Sequence, residues 1–394
     1  MTRCDRTIET PQAQLTVVIV GGGVIGCAAA VALARAGAAV TLIERDRIGS
    51  GASHAAAGML APLSESDEEG PLVEPGMESL RLHATWSRMI EQLAGISIGR
   101  VARGTIMVAP TPGRLRELEE RLAWQRRWDP KAALLDAKAL RKRVPGLAPS
   151  HVGALHYPRE SEVEAGRYTA ALGRAAVASG AHLWEGRPVV ALVVRGDRVT
   201  GVRTPEGTVD ADAVLVATGS EPALLHAVDV PLPLSPIKGE LIRLVPPRPL
   251  LRSNLFVPGG YLTPKADGSL LVGATQKPGR HDLAVDAESV RSLLEMAFAA
   301  LPELRLASFA GTVVGLRPAL PDRLPAIGPV PGLRGLWIAT GHHRNGILLA
   351  PWTAERITRA IFGDVTALPH ALLPDRLLTR AAASSGQERQ ARLT

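Results

Sequence analysis

Cysteine is almost missing from this chain: 394 residues contain two, Cys4 near the start and Cys27 within an apolar segment. That excludes a disulfide framework and a CxxC metal site, no metal is expected, and the setting that fits is reducing and cytoplasmic. Aromatic residues make up only 3% of the sequence, too few to build stacking platforms for single-stranded nucleic acid. Long apolar runs are also missing. The leading segment is polar, and Leu15–Val20 is too short for a signal core or a membrane span. A soluble protein with no membrane partner is the expectation. A formal net charge of +7 raises nucleic acid as a partner. The densest basic cluster, however, is Arg114, Arg116, Arg121, Arg126 and Arg127 interleaved with Glu117, Glu119 and Glu120. Such alternation reads as a solvated helix face, so no nucleic-acid partner is expected.

What the chain does have is glycine at fixed spacing. Val17-Val18-Ile19-Val20 runs into Gly21-Gly22-Gly23-Val24-Ile25-Gly26, then an alanine-rich helical pattern, then Val40-Thr41-Leu42-Ile43-Glu44-Arg45. Strand, Gly-x-Gly-x-x-Gly turn and helix form the opening of a dinucleotide-binding unit. Gly21 permits the tight turn, Gly23 lets backbone approach a pyrophosphate, and Gly26 lets helix pack on strand. Glu44 closes the second strand at about the 20-residue separation where a carboxylate meets a ribose hydroxyl.

A second crowd of small residues, Gly49-Ser50-Gly51-Ala52-Ser53-His54-Ala55-Ala56-Ala57-Gly58-Met59, suits close approach to a flat ligand. Leu63 to Gly76 is acidic with Pro and Gly and reads as a surface loop. Helical patterns follow at Met77–Leu93, Leu115–Trp128 and Ala137–Arg143, then a short strand at Gly153–Pro158 and a helix at Glu164–Ser179. Short strands are expected at Pro188–Arg195, Val199–Thr204 and Thr208–Ala211. Ala213 to Ser220 reads as a buried parallel strand ending in an Ala-Thr-Gly turn at Gly219. The proline-rich stretch Pro231–Pro249 carries Lys238-Gly239-Glu240, and an antiparallel block follows through Asn254–Val257, Gly260–Pro264 and Ser269–Ala274, with a helix at Asp286–Leu301. Gly315-Leu316-Arg317-Pro318 reads as a turn. Leu336 to Ala339 is a strand that enters Gly341-His342-His343-Arg344-Asn345-Gly346 and an apolar helix, a second strand-loop-helix start.

Taken together, these motifs resemble the glycine oxidase branch of the D-amino-acid-oxidase-like flavoproteins, over roughly Val17 to Ile361. The resemblance implies an α/β, two-domain flavoprotein: a Rossmann-like FAD-binding domain interrupted by an antiparallel-sheet substrate domain. The FAD domain would take 15–85, 150–222 and 312–372, the substrate domain 86–149 and 223–311, with tails at 1–14 and 378–394. It implies noncovalent FAD, and the lack of a late cysteine argues against a covalent flavin. Cofactor contacts would come from Gly21, Gly23, Val24, Ile25 and Gly26 at the pyrophosphate, Glu44 and Arg45 at the ribose, and Val189 at adenine. Ala52, Ser53, Ala57, Gly58 and Met59 would line the flavin side with Gly219, and His342, His343, Arg344, Asn345, Gly346, Ile347 and Leu348 would cover the isoalloxazine.

Arg317 and Arg344, with Tyr261 alongside, would hold a substrate carboxylate, the task for which a guanidinium fork is matched. The implied reaction is oxidation of glycine and small amines such as sarcosine, with O2 as acceptor and hydrogen peroxide as product, and a role in making the thiazole of thiamine. A homo-oligomer is expected, a homotetramer among the forms. Alternatives are a D-amino acid, sarcosine or proline oxidase or dehydrogenase, and an RNA-interacting flavoprotein of tRNA modification. Gln276 and the pair Gly259-Gly260 depart from the family pattern near the substrate and bear on the preferred amine.

Overall fold

The computed structural model describes residues 14–378; Cys4 and nearly all of both expected tails lie outside them. The opening strand, Thr16–Val20, sits inside a six-stranded sheet. It runs parallel to Ala39–Ile43 on one side and to Ala213–Val216 on the other. His182–Trp184 extends one edge and Leu336–Thr340 the other in parallel; only Ala326–Pro329 is antiparallel. Both faces are covered, which is why these strands read as continuous apolar runs. Val17 and Ile19 enter a core built with the helices Val24–Arg35, Ala165–Ala178 and Gly346–Ile361, while Val18 and Val20 enter a core on the opposite face. Strands Ala191–Arg195, Arg198–Thr204 and Gly207–Asp210 form a three-stranded antiparallel sheet that contributes to that second core.

A nine-stranded sheet makes the other layer. Its spine is Ser235–Val245, paired along its length with Ser308–Ala319. From that spine the order continues through Leu270–Gly273, Gly260–Pro264, Asn254–Val257, Thr105–Ala109, Gly153–Tyr157 and Ala133–Asp136. All contacts are antiparallel except that between Asn254–Val257 and Thr105–Ala109.

Several expectations change. Arg317 and Pro318 lie in a strand, not a turn: the β-branched run Thr312-Val313-Val314 and an eleven-residue partner strand outweigh the local proline signal. The strands Gly153–Tyr157 and Ser308–Ala319 belong to the nine-stranded sheet, although the expected limits at 149/150 and 311/312 assigned the first, and most of the second, elsewhere. The limit at 85/86 falls inside helix Val73–Ala94, whose Trp86 and Ile90 join the core of the parallel sheet. The expected surface loop is partly buried, since Leu63 and Ser64 are nearly inaccessible. Arg121 leaves the solvated face of helix Pro112–Gln125 and turns inward, donating to the carbonyls of Leu63 and Ser64.

The closing helix, Gly346–Ile361, contains Pro351. Proline has no N–H, so the carbonyl of Ile347 loses its intrahelical donor. His83, fully buried on Val73–Ala94, supplies it: Nε2 lies 3.1 Å from the Ile347 oxygen and 3.0 Å from that of Leu348. Burial pushes the His83 pKa down to about 4, so the ring is neutral and Nε2 carries the proton. Below pH 6.5 an unfolded chain takes up a proton that the folded site refuses. This share of stability is therefore complete above pH 6.5 and declines as the pH falls towards about 4. We expect His83→Gln, which keeps an N–H donor but cannot titrate, to lose less melting temperature than the wild type between neutral pH and about pH 5. An equal loss in both proteins would remove His83 from the acid response.

Candidate active site

The two sheets meet over a cavity of about 1200 Å³. At one end is the glycine turn. Gly21 has φ +109°, and a Cβ there would fall 2.5 Å from the carbonyl oxygen of Ala217. At Gly26 a Cβ would fall 1.9 Å from the oxygen of Gly21, so only glycine lets the helix stand on the strand end. Gly23 differs. A Cβ there would meet only Ser53 Oγ, at 3.4 Å, so the space above it is open to the cavity. The first helical amide, Val24 N–H, donates to Ser53 Oγ, which leaves the hydroxyl proton to point elsewhere. Glu44 accepts from Gly22 N–H at 2.6 Å and Asp46 N–H at 2.9 Å; each oxygen keeps a second lone pair for a hydroxyl donor.

Arg45, Ala52, Ser53, Ala57, Gly58, Met59, Val189, Gly219, His342, His343, Gly346 and Ile347 line the same cavity, with Val24, Ile25 and Glu44. Three expected residues do not: Gly26 packs on Gly21, Asn345 immediately precedes the closing helix, and Leu348 is buried in the core behind it. Among the described residues no group of three His, Cys, Asp or Glu side chains could hold a metal ion. No helix among them is long and apolar enough to cross a membrane.

The other end carries the charged side chains. Arg317 projects from its strand across the spine, where a Cβ on Gly239 would lie 2.3 Å from Nη1. That explains the glycine of Lys238-Gly239-Glu240. Its flanking residues face a buried network instead: Lys238 Nζ lies 2.7 Å from Asp282 Oδ1, and Glu240 accepts from Thr275 and Ser289. Arg317 donates to the Thr275 carbonyl at 3.2 Å and is also hydrogen-bonded to the Tyr261 hydroxyl. Tyr261 stands beside it; burial raises the phenol's pKa and keeps it a protonated donor. Gln276 lines this end too, and the adjacent Gly260 is fixed by packing, since its Cβ would come within 2.1 Å of the Gly273 oxygen.

Arg344 is engaged differently from the expectation. Its Nε and Nη2 fork onto Glu65 Oε2 and Oε1 at 2.9 and 3.1 Å. Glu65 was not singled out by the sequence, because it lies in what reads as an ordinary acidic loop. His343, at φ +49°, is anchored by its N–H to the Pro318 oxygen. Burial, then the charges of Arg317, Arg344 and Arg323, lower its pKa to about 4, while burial alone takes His342 to about 3. Both rings are neutral near pH 7. The His343 Nε2 is buried with no hydrogen-bond partner among the described residues, a polar group left for a ligand.

A glycine turn at a helix start, an open space above Gly23 and an unpartnered ring nitrogen fit a dinucleotide lying along the cavity. The family model for FAD-dependent oxidoreductases matches residues 16–360. The chain belongs to this family. FAD is accordingly the cofactor of this oxidoreductase. The chain is 38% identical over 341 residues to the glycine oxidase of Geobacillus kaustophilus, covering 86% of this chain and 90% of that one. It is 36% identical over 373 residues to the bifunctional protein ThiO/ThiG of Synechocystis sp., covering 92% of this chain but 54% of that protein, about half its length. The crystal structure of glycine oxidase from Bacillus cereus superposes with a TM-score of 0.86 at 33% identity, covering 93% and 98% of the two chains.

Gly26→Ala should drive a methyl group into the Gly21 carbonyl and displace the helix start. We expect the purified variant to carry less than about a tenth of the wild-type visible flavin absorbance per chain; full retention of colour would show that the turn does not hold FAD.

Proposed function

We propose that this oxidoreductase oxidises glycine and small amines such as sarcosine, with O2 as acceptor and hydrogen peroxide, ammonia and glyoxylate as products. The observation that carries the reading is the Arg317 guanidinium. It lies over a bare glycine backbone, beside a protonated phenol, in the cavity that contains the dinucleotide turn. Arg317 spends N–H groups on the Thr275 carbonyl and the Tyr261 oxygen; its remaining N–H groups and the Tyr261 O–H are placed to grip one carboxylate. Small amines fit a site whose walls include Gly239, Gly260, Gly315 and Ala274. The similarity to glycine oxidases supports the same substrate class.

In this reading the pyrophosphate would lie against Gly21 to Gly26, with Glu44 and Arg45 at the ribose and Val189 at adenine. The small residues Ala52 to Met59 and the segment His342 to Ile347 hold the ring system, and the six-stranded sheet with its helices is the FAD domain. Bound FAD would supply a two-electron acceptor for the substrate α C–H, regenerated by O2. The protein's share is orientation. Arg317 and Tyr261 fix the carboxylate end, which sets where the α-carbon lies. Burial lowers the pKa of His342 to about 3 and of His343 to about 4, which makes both rings poor proton acceptors, and Glu65 is engaged by Arg344, so none of these side chains is suited to take the proton of a substrate ammonium. The substrate therefore enters as the free amine, and kcat/KM for glycine should climb with pH as the ammonium loses its proton. We further propose that the imine product serves thiamine thiazole formation in the cytoplasm, a reading supported by the ThiO/ThiG relative.

Peroxide release with glycine, sarcosine, D-alanine and D-proline tests the substrate: the first two should be turned over, and inactivity with both would refute the assignment. Arg317→Met should raise the KM for glycine roughly 10- to 100-fold with FAD retained. Gly239→Ala, which displaces the guanidinium, should shift KM the same way; an unchanged KM in both would remove Arg317 from the site.

A further inference from the structure

Glu65 is held by its neighbours rather than by chance. Leu63 and Ser64 donate their N–H groups to Glu160 Oε1 at 2.9 and 2.8 Å, and Ser64 Oγ donates to Glu160 Oε2 at 2.7 Å. From the other side Arg121 Nη2 donates to the carbonyls of Leu63 and Ser64 at 2.8 and 2.7 Å, and Gln125 Nε2 donates to Leu63 at 2.8 Å. Ser66 Oγ bonds the Pro62 carbonyl, and Glu65 N–H bonds that of Ala61. The loop is thus tied on both sides of Glu65, which lines the cavity together with Ser64 and Asp67. The Glu65 side chain is only 10% exposed, and both of its oxygens face Arg344.

The charges around the carboxylate end can be counted. Of the residues that line this end, Arg317 and Arg344 bring two positive charges and Glu65 one negative, while His342, His343 and Tyr261 are neutral; Arg323, whose charge also reaches His343, is exposed and lies outside the lining. Arg121 is paired with Asp67 and Arg114 with Glu117. The pocket therefore offers one net positive charge, which matches one carboxylate. A second anionic group would have to compete with Glu65 for Arg344 while facing its negative charge. Glu65 could yield only by leaving a carboxylate unpaired in a nearly inaccessible place, which is costly.

We propose that Glu65 is a specificity-determining residue: by occupying the Arg344 fork it restricts the pocket to amines bearing a single carboxylate and shuts out dicarboxylic amines such as iminodiacetate. This rests on the reading of Arg317 and Tyr261 as the carboxylate grip.

The test uses holoenzyme and two acids that cannot be oxidised as amines. Methoxyacetate is the oxygen analogue of sarcosine, and diglycolate that of iminodiacetate; they differ in charge at one end. Calorimetric titration of the wild type should give methoxyacetate at least about tenfold tighter binding than diglycolate. In Glu65→Gln diglycolate should tighten at least about tenfold and methoxyacetate change less than about threefold; adding Arg344→Gln should abolish the gain. If Glu65→Gln does not retain FAD, Glu65→Asp, which pulls the carboxylate back by one methylene, should move diglycolate the same way in a smaller step. Unchanged diglycolate affinity in a variant that still binds methoxyacetate would overturn the role of Glu65 and leave the Arg317 reading standing. Failure of the wild type to bind either acid would overturn the Arg317 reading and, with it, this inference.

Discussion

The absence of a side chain where two backbones touch is the constraint on which this structure depends. Helix Val24–Arg35 stands on the end of the opening strand only because Gly26 presents bare backbone to the Gly21 carbonyl, and Gly21 turns with φ +109° against Ala217. A methyl group at either place would lift the helix start from the sheet, and its positive end would no longer face the cavity. The same device recurs at the far end, where Gly239 yields its side-chain space to the Arg317 guanidinium. One cavity thus has an anion cradle at one end and a cation at the other, both set by glycine.

Those two ends are brought together by different sheets. The parallel sheet carries the turn after Thr16–Val20, the Glu44 strand end and the loop following Leu336–Thr340. The larger sheet carries Tyr261 and Arg317 on separate strands. The loop Gly341 to Gly346 joins the two layers, because His343 N–H is bound to Pro318 on the larger sheet while Gly346 begins the closing helix. That helix owes its unbroken course past Pro351 to His83, a donor from another helix. Positioning of the cavity wall therefore reaches back into the core.

The opening unit was legible because its physics is local: β-branched strand, glycine spacing and strand-end carboxylate all fall within about thirty residues. Arg317 was legible as chemistry but not as structure. Its neighbour Pro318 signals a turn, and only the long pairing with Ser235–Val245 makes the segment a strand. The partnership of Arg344 with Glu65 could not be read at all, since it joins residues 279 positions apart. Its loop is buried through Arg121 and Glu160, residues whose charged character argues for solvent when sequence is the only guide. Domain limits shifted for the same reason: Gly153–Tyr157 and Ser308–Ala319 take their place from strand partners distant in sequence.

On the proposed function, a small amino acid held at Arg317 reduces FAD held along the glycine turn. The direct measurement is the visible spectrum of the purified protein under anaerobic conditions before and after adding glycine. Bleaching of the yellow flavin bands, with colour restored on admitting air, is the predicted result. A flavin spectrum that glycine and sarcosine leave unchanged would contradict the claim.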